Sequence, residues 1–207
     1  GINLEELSIN KHRPIRAIFT DANNDLWLGT KGNGIIKIKD YDNSFEHSRS
    51  NVEHLTNEDG LSDNSIFAFE MSHHHNVLWI GSNGPYLNYY SYDDKKIHRL
   101  TNNNRINFVL VHSLLETSDS ILWVTSSHAL LRVDIVKRGN KLEAGNIRKY
   151  EFDVKNKERF NQIFSISQEN DSIIWLGMRG NGAIRFNFIN GSYDLVTFDE
   201  KGIAPMN

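Results

Sequence analysis

The chain has 207 residues, 39% hydrophobic and 11% aromatic, with a formal net charge of −3 and no cysteine. That aromatic content excludes a disordered chain, and the mild acidity without any dense Lys/Arg run excludes a nucleic-acid footprint; the missing thiols exclude disulfides, thiolate metal sites and a cysteine nucleophile. No apolar run reaches the roughly 18 residues of a membrane span, and the first twenty residues carry no signal-peptide core.

The first periodic segment runs through Ile15, Ala17 and Ile18, followed by a polar turn at 21–25 and the run Leu26-Trp27-Leu28-Gly29. A second turn, Gly32-Asn33-Gly34, leads into a strand at 35–38, and an outer strand is expected at 53–55. The same order then recurs. Ile66, Ala68 and Phe69 precede a turn at 72–76, the run Leu78-Trp79-Ile80-Gly81, and strands at 86–90 and 97–100. Val111, Ser113 and Leu114 precede a turn at 117–120, the run Leu122-Trp123-Val124-Thr125, and strands at 130–133 and 148–152. Ile163, Ser165 and Ile166 precede a turn at 169–172, the run Ile174-Trp175-Leu176-Gly177, and strands at 183–186 and 195–198.

All four tryptophans therefore fall at one repeat position, 52, 44 and 52 residues apart, which is the spacing of four-stranded propeller blades. The small residue at 17, 68, 113 and 165 is expected because innermost strands crowd toward a central channel. No segment sustains a 3.6-residue period, so almost no helix is expected. Units of this size cannot bury both faces alone, whereas stacked neighbours can. A two-sheet sandwich would have no reason to repeat a hairpin at blade spacing. The sequence predicts an all-β fold: a β-propeller, with four consecutive four-stranded blades of a larger ring. A lead-in segment, or the end of a preceding blade, takes residues 1–14 and the first blade 15–56. Linker and second blade follow at 57–100, linker and third at 101–153, and linker and fourth at 154–199. Residues 200–207 read as the start of a linker to a further blade.

The unit from Ile15 to Ile35, with its Leu-Trp-Leu-Gly-Thr and Gly-x-Gly-Ile runs, resembles the two-component regulator propeller repeat. The segment Asn57-Glu58-Asp59-Gly60-Leu61-Ser62-Asp63-Asn64 resembles that family's inter-blade linker. Departures are Thr125 in place of Gly, Pro85 after the second turn, and linkers at 102–105 and 156–159 that lack Gly-Leu-Ser. The resemblance implies a periplasmic or otherwise extracytoplasmic sensor of a hybrid two-component system, as in gut Bacteroidetes, with propellers usually seven-bladed. It implies further blades and a connector domain in the same chain. A membrane helix and a histidine kinase, with a transcriptional output, would then lie elsewhere. It also implies glycan breakdown products as ligands. The other readings are a non-catalytic interaction or dimerisation scaffold and a propeller-fold polysaccharide lyase or hydrolase.

Propeller topology puts the inter-blade linkers and the turns after the Trp strands on one face. Candidate ligand-binding residues there are Asn33, Asn83, Arg105, His128, Arg159, Arg179 and Asn181, joined by Asn64, Asn107 and Asn161. Amides can bond sugar hydroxyls, and arginines can grip a carboxylate or sulfate in two-point fashion. Trp27, Trp79, Trp123 and Trp175, with Gly29, Gly81 and Gly177, read as structural repeat positions. The run His73-His74-His75 reads as a solvated turn, since a metal site needs a third or fourth ligand held nearby. His112 reads as a packing residue. No catalytic constellation, metal site or cofactor is expected, and the fragment is expected to be no enzyme. Expected partners are an oligosaccharide, the remaining domains of its own chain and a second copy through self-association; neither nucleic acid nor direct membrane contact is expected.

Overall fold

The computed structural model describes residues 13–41, 51–102, 107–117, 120–126, 129–153, 162–180, 182–199 and 202–206. Blade 1 contains β1 (Ile15–Thr20), β2 (Leu26–Thr30), β3 (Ile35–Ile38) and β4 (Val52–Leu55), and blade 2 contains β5 (Ile66–Met71), β6 (Val77–Ser82), β7 (Asn88–Ser91) and β8 (Lys96–Arg99). Blade 3 is built from β10 (Leu114–Glu116), β11 (Ile121–Ser126), β12 (Ala129–Arg138) and β13 (Lys141–Tyr150), with β9 (Thr101–Asn102) added in parallel outside β13. Blade 4 is β14 (Ile163–Asn170), β15 (Ile173–Met178), β16 (Ala183–Asn187) and β17 (Tyr193–Asp199), with β18 (Gly202–Met206) outside β17. Each sheet is an antiparallel meander from inner to outer strand, apart from the added β9. The chain is therefore all-β, four propeller blades in succession. Where the sequence suggests a linker beginning at 200, Gly202–Met206 pairs with β17 as an edge strand.

Why these segments become strands follows from burial. The strands β6 and β7 are buried at every residue, because blade 2 is covered on both faces. Such strands read as near-continuous apolar and aromatic runs, as Val77-Leu78-Trp79-Ile80 does. Three of the tryptophans carry the stacking, each pointing at the following blade. Trp27 meets Tyr90 and Phe69 of blade 2, with ring centroids 4.8 and 6.3 Å apart. Trp79 lies in one cluster with Leu122, Val124 and Leu131 of blade 3, and Trp123 meets Phe186 and Phe188 of blade 4. These three rings are fully buried, whereas Trp175 is half-buried; its Nε1–H donates to Glu169 at 2.6 Å.

The Gly two residues after each Trp has the same origin. A Cβ on Gly29 would lie 2.8 Å from Cγ2 of Ile66, and one on Gly81 would lie 2.8 Å from both Cγ1 and the carbonyl oxygen of Val111. Each glycine thus admits the first inner-strand residue of the next blade. In blade 3 that position is Thr125, whose buried Oγ1 accepts the Ser113 N–H at 2.8 Å and lies 3.1 Å from the Ser113 carbonyl oxygen. The small inner residues lie against the same glycines. The Ala17 and Ala68 Cβ atoms abut the Cβ positions of Gly29 and Gly81 on their own blades.

The linker between blades 1 and 2 is stapled to both. Leu61 is fully buried with Trp27 and Ile66. Gly60 takes φ 111 after the one-turn 3-10 helix Asn57–Asp59, which Thr56 and Asp59 cap reciprocally. The Asn64 carbonyl accepts the Gly32 and Gly34 N–H groups of blade 1 (3.0 and 2.8 Å), while Asn88 of blade 2 accepts the Ser62 N–H at 2.9 Å.

On the opposite face the His73-His74-His75 turn is held by its backbone. The Ser72 hydroxyl accepts the His75 N–H at 3.0 Å and donates to buried Glu116 of blade 3, which also accepts the His73 N–H. Glu70 accepts the Glu116 N–H at 3.3 Å; burial, and secondarily the Glu116 charge, push its carboxyl above the ordinary range despite that bond. A raised carboxyl pKa means the folded state holds the proton more tightly than the unfolded chain does. Stability from this group is present below the ordinary 4.5 and is lost as pH rises through the folded value. Glu70→Gln is therefore expected to raise the urea midpoint at pH 7 and to match wild type below pH 4.5. An unchanged midpoint at pH 7 contradicts this.

Candidate functional site on the propeller axis

In blades 1, 2 and 4 one residue near the start of the inner strand breaks its alternation. The pairing of β1 with β2 shifts between Ile15 and Ala17, that of β5 with β6 between Ile66 and Ala68, and that of β14 with β15 between Ile163 and Ser165. The intervening residues are Arg16, Phe67 and Phe164. A bulge inserts an unpaired residue and re-aims its side chain, here off the blade faces and toward the axis. In blade 3 the equivalent residue is His112. Val111 bonds there to the Ser82 carbonyl of blade 2 at 3.1 Å, and Ser113 is held by Thr125.

These four side chains form a ladder across the blades. The Arg16 guanidinium carbon sits 4.6 Å from the Phe67 ring centroid, Phe67 lies 4.9 Å from His112, and His112 lies 4.4 Å from Phe164. They line a cavity of about 320 Å³, within the size range of small-ligand sites. Phe164 is 41% exposed and Arg16 is exposed, so the ladder faces solvent. Burial, with Arg16 as a second cause, pushes the His112 imidazole below its ordinary pKa, which favours a neutral ring.

The ladder sits at the end of the inner strands where the linkers enter. Lys31 bonds to Pro14, Asn83 to Ser65 and Arg179 to Gln162, all through the backbone, so the turns after the Trp strands share this face. Asn33 is half-buried; its N–H donates to Thr30 Oγ1 at 3.0 Å, and its carbonyl lies 2.5 Å from His54 Nε2. Asn83 is exposed. Arg179 is exposed and donates to the Gln162 side chain at 3.2 Å. Asn64 holds the linker, and Asn107 is exposed. Arg105, His128, Arg159, Asn161 and Asn181 lie outside the described residues. Sequence reasoning missed Arg16, Phe67 and Phe164 and took His112 for a packing residue. The signal was present: each stands between a β-branched residue and a small one, and three of the four are aromatic.

A larger cleft of about 550 Å³ opens between blades 1 and 2 near the hairpin face, lined by Asp25, Lys37, Lys39, Glu53, Tyr90 and Lys95 among others. Its central charges are matched internally. Lys37, 5% exposed, pairs with Asp25 at 2.8 Å and packs over the rings of Trp27 and Tyr90, and Lys39 pairs with Glu53. Burial works against the Lys37 charge, yet its bond to Asp25 and the surrounding acids hold its pKa above the ordinary value. That cleft is an ion-pair seam between two blades, whereas the axial ladder presents a cation with no carboxylate lining its cavity among the described residues.

Four meandering sheets, stacked through Trp27, Trp79 and Trp123, with the linkers and one set of turns on a shared face, define a β-propeller segment. The two component regulator propeller family model matches residues 11–32. That match spans β1, β2 and the start of the turn after them. The chain is similar in structure to the extracellular domain of BT4673 from B. thetaiotaomicron, described as a putative hybrid two component system: TM-score 0.63 and 17% identity over 91% of this chain and 26% of that one. The extracellular domain of BT3049, a putative hybrid two component system of the same organism, gives a TM-score of 0.60 at 14% identity over 93% of this chain and 28% of that one. The β-propeller domain of Cps50 (Swd1) from Myceliophteria thermophila gives 0.62 at 11% identity, over 89% and 59%. At these identities the likeness bears on the fold, and the chain spans about a quarter of the two bacterial domains. No curated protein matches the sequence.

Proposed function

We propose that this chain is a non-catalytic, ligand-sensing part of an extracytoplasmic two-component sensor, and that its ligand docks on the axial ladder. The observation that carries the reading is the alignment of Arg16, Phe67, His112 and Phe164 from four successive blades in one solvent-facing cavity. Support for the sensor role comes from the matched repeat and from neighbours that are extracellular domains of hybrid two-component systems. Among the described residues no helix is long and apolar enough to cross a membrane, which accords with an extracytoplasmic location. Glycan breakdown products are the ligands this reading favours, because sugar rings offer flat apolar faces that stack on aromatic side chains. Asn33, Asn83 and Arg179, on the same face, would supply rim contacts.

The test is a titration of soluble oligosaccharides from polysaccharide digests against wild-type chain and the variants Phe67→Ala and Phe164→Ala. Each variant is expected to lose about five- to tenfold in affinity, the worth of one aromatic stack. Equal affinity in wild type and both variants removes the axial assignment.

A scaffold reading has its own observation. Ile15 and Ile18 on the back of blade 1 are 47% and 70% exposed, and Trp175 of blade 4 is half-buried. Self-association through these exposed side chains is the expected consequence, and light scattering with and without glycan separates the readings. A dimer indifferent to every glycan favours the scaffold.

A further inference from the structure

The axial cavity combines two chemistries that call for different parts of one ligand. Phe67 and Phe164 offer apolar rings, with His112 tilted between them at 4.9 and 4.4 Å. Arg16 offers a guanidinium packed on the face of Phe67, 4.6 Å from its centroid. A guanidinium stacked on a ring keeps its N–H edge directed outward, where it can bond a planar oxyanion at two points. The cavity wall contributes no carboxylate among its described lining residues. The other cations beside aromatic rings are held from within the chain: Lys37 over Trp27 by Asp25, Arg185 beside Trp175 by Glu169 at 2.7 Å, and Arg99 over Tyr86 by the Gly60 carbonyl at 3.4 Å. Among the described residues the Arg16 guanidinium has neither an acid nor a carbonyl partner, which leaves its N–H edge available to a ligand.

Resting on the axial reading above, we infer that this cavity takes a ligand carrying an oxyanion, a carboxylate or sulfate, beside a flat apolar ring face. Arg16 binds the anion, and His112 takes up a proton as it binds. The groups facing His112 are Arg16 from the first blade and the rings of Phe67 and Phe164 from the second and fourth. Without ligand, burial and the Arg16 charge favour the neutral imidazole. A bound anion offsets the Arg16 charge and offers an acceptor, so the imidazole gains a proton. Linkage fixes the sign: a site that takes up a proton on binding tightens as pH falls, by up to about tenfold per pH unit between the free and bound pKa values of the imidazole.

The experiment uses the 207-residue chain with labelled His and Phe rings, titrated with three probes: methyl glucuronide, methyl glucoside and benzoate. Glucuronide against glucoside isolates the carboxylate on one sugar ring, and benzoate asks whether an aromatic acid serves equally. Expected results are Phe67 and Phe164 ring shifts with at least one acid and affinity at least about tenfold weaker for glucoside. That acid's affinity should also rise between pH 7.5 and 5.5 with an upward shift of the His112 titration. Arg16→Gln should lose about tenfold or more for that acid, and Arg16→Lys should recover part of it. Glucuronide and glucoside binding equally, or Arg16→Gln binding the acid as wild type does, overturns the anion inference while leaving the axial site standing. No ring shifts with any probe overturns both.

Discussion

Trp79→Ala is expected to lower the unfolding free energy of the chain by about 4 kcal/mol, whereas Trp175→Ala costs about 1 kcal/mol or less. The two residues occupy the same position of the repeat, so sequence alone gives no reason to separate them. What differs is the following blade. Trp79 is fully buried against Leu122, Val124 and Leu131, and its removal leaves a cavity between two sheets that cannot collapse onto each other without breaking their shared backbone contacts. Trp175 presents its ring at the end of the stack, where a truncation loses the bond to Glu169 and part of a half-exposed surface. Urea unfolding followed by circular dichroism gives both midpoints. Equal losses in the two variants would falsify the forward-stacking account of the blades.

The second large effect belongs to Gly34. It has φ 71 at the start of β3, and a Cβ there would collide with the Leu55 carbonyl of β4. Its counterpart Gly182 has φ 73 and meets the Val196 carbonyl of β17 in the same way. Gly34→Ala combines about 1 kcal/mol for the left-handed backbone with about 2 kcal/mol for a wedge at a strand pair, some 3 kcal/mol in all. Gly139, at φ 60 with nothing within 4 Å of its Cβ position, is the control: Ala there should pay only the backbone term of about 1 kcal/mol. If Gly34→Ala and Gly139→Ala cost the same, the close approach of β4 is not what fixes the Gly-x-Gly-Ile motif.

These two cases show what the sequence could and could not disclose. Four tryptophans in register and a β-branched, small, apolar triplet before each were enough to count blades and order their strands, because both patterns follow from backbone period and burial. The direction of stacking was not legible, since a strand pattern names two faces without saying which neighbour each meets. The axial ladder escaped for a related reason. A period-two reading assigns each inner-strand residue to one blade face, but a bulge adds a residue that belongs to neither, so Arg16, Phe67 and Phe164 read as ordinary strand positions and His112 as packing. Asn33, Asn83 and Arg179 were found because turns announce themselves by composition; their hydrogen bonds to Thr30, Ser65 and Gln162 give each a local structural role as well.

The most direct measurement is a nuclear Overhauser spectrum of the chain with labelled His and Phe rings. Phe67, His112 and Phe164 lie far apart in sequence, and only blades stacked in this register, with bulged inner strands turned to the axis, bring their rings to 4.9 and 4.4 Å. Cross-peaks from the His112 ring to both Phe67 and Phe164 are the predicted result. A His112 ring with cross-peaks to neither would contradict the axial ladder, and with it the site on which the functional proposal stands.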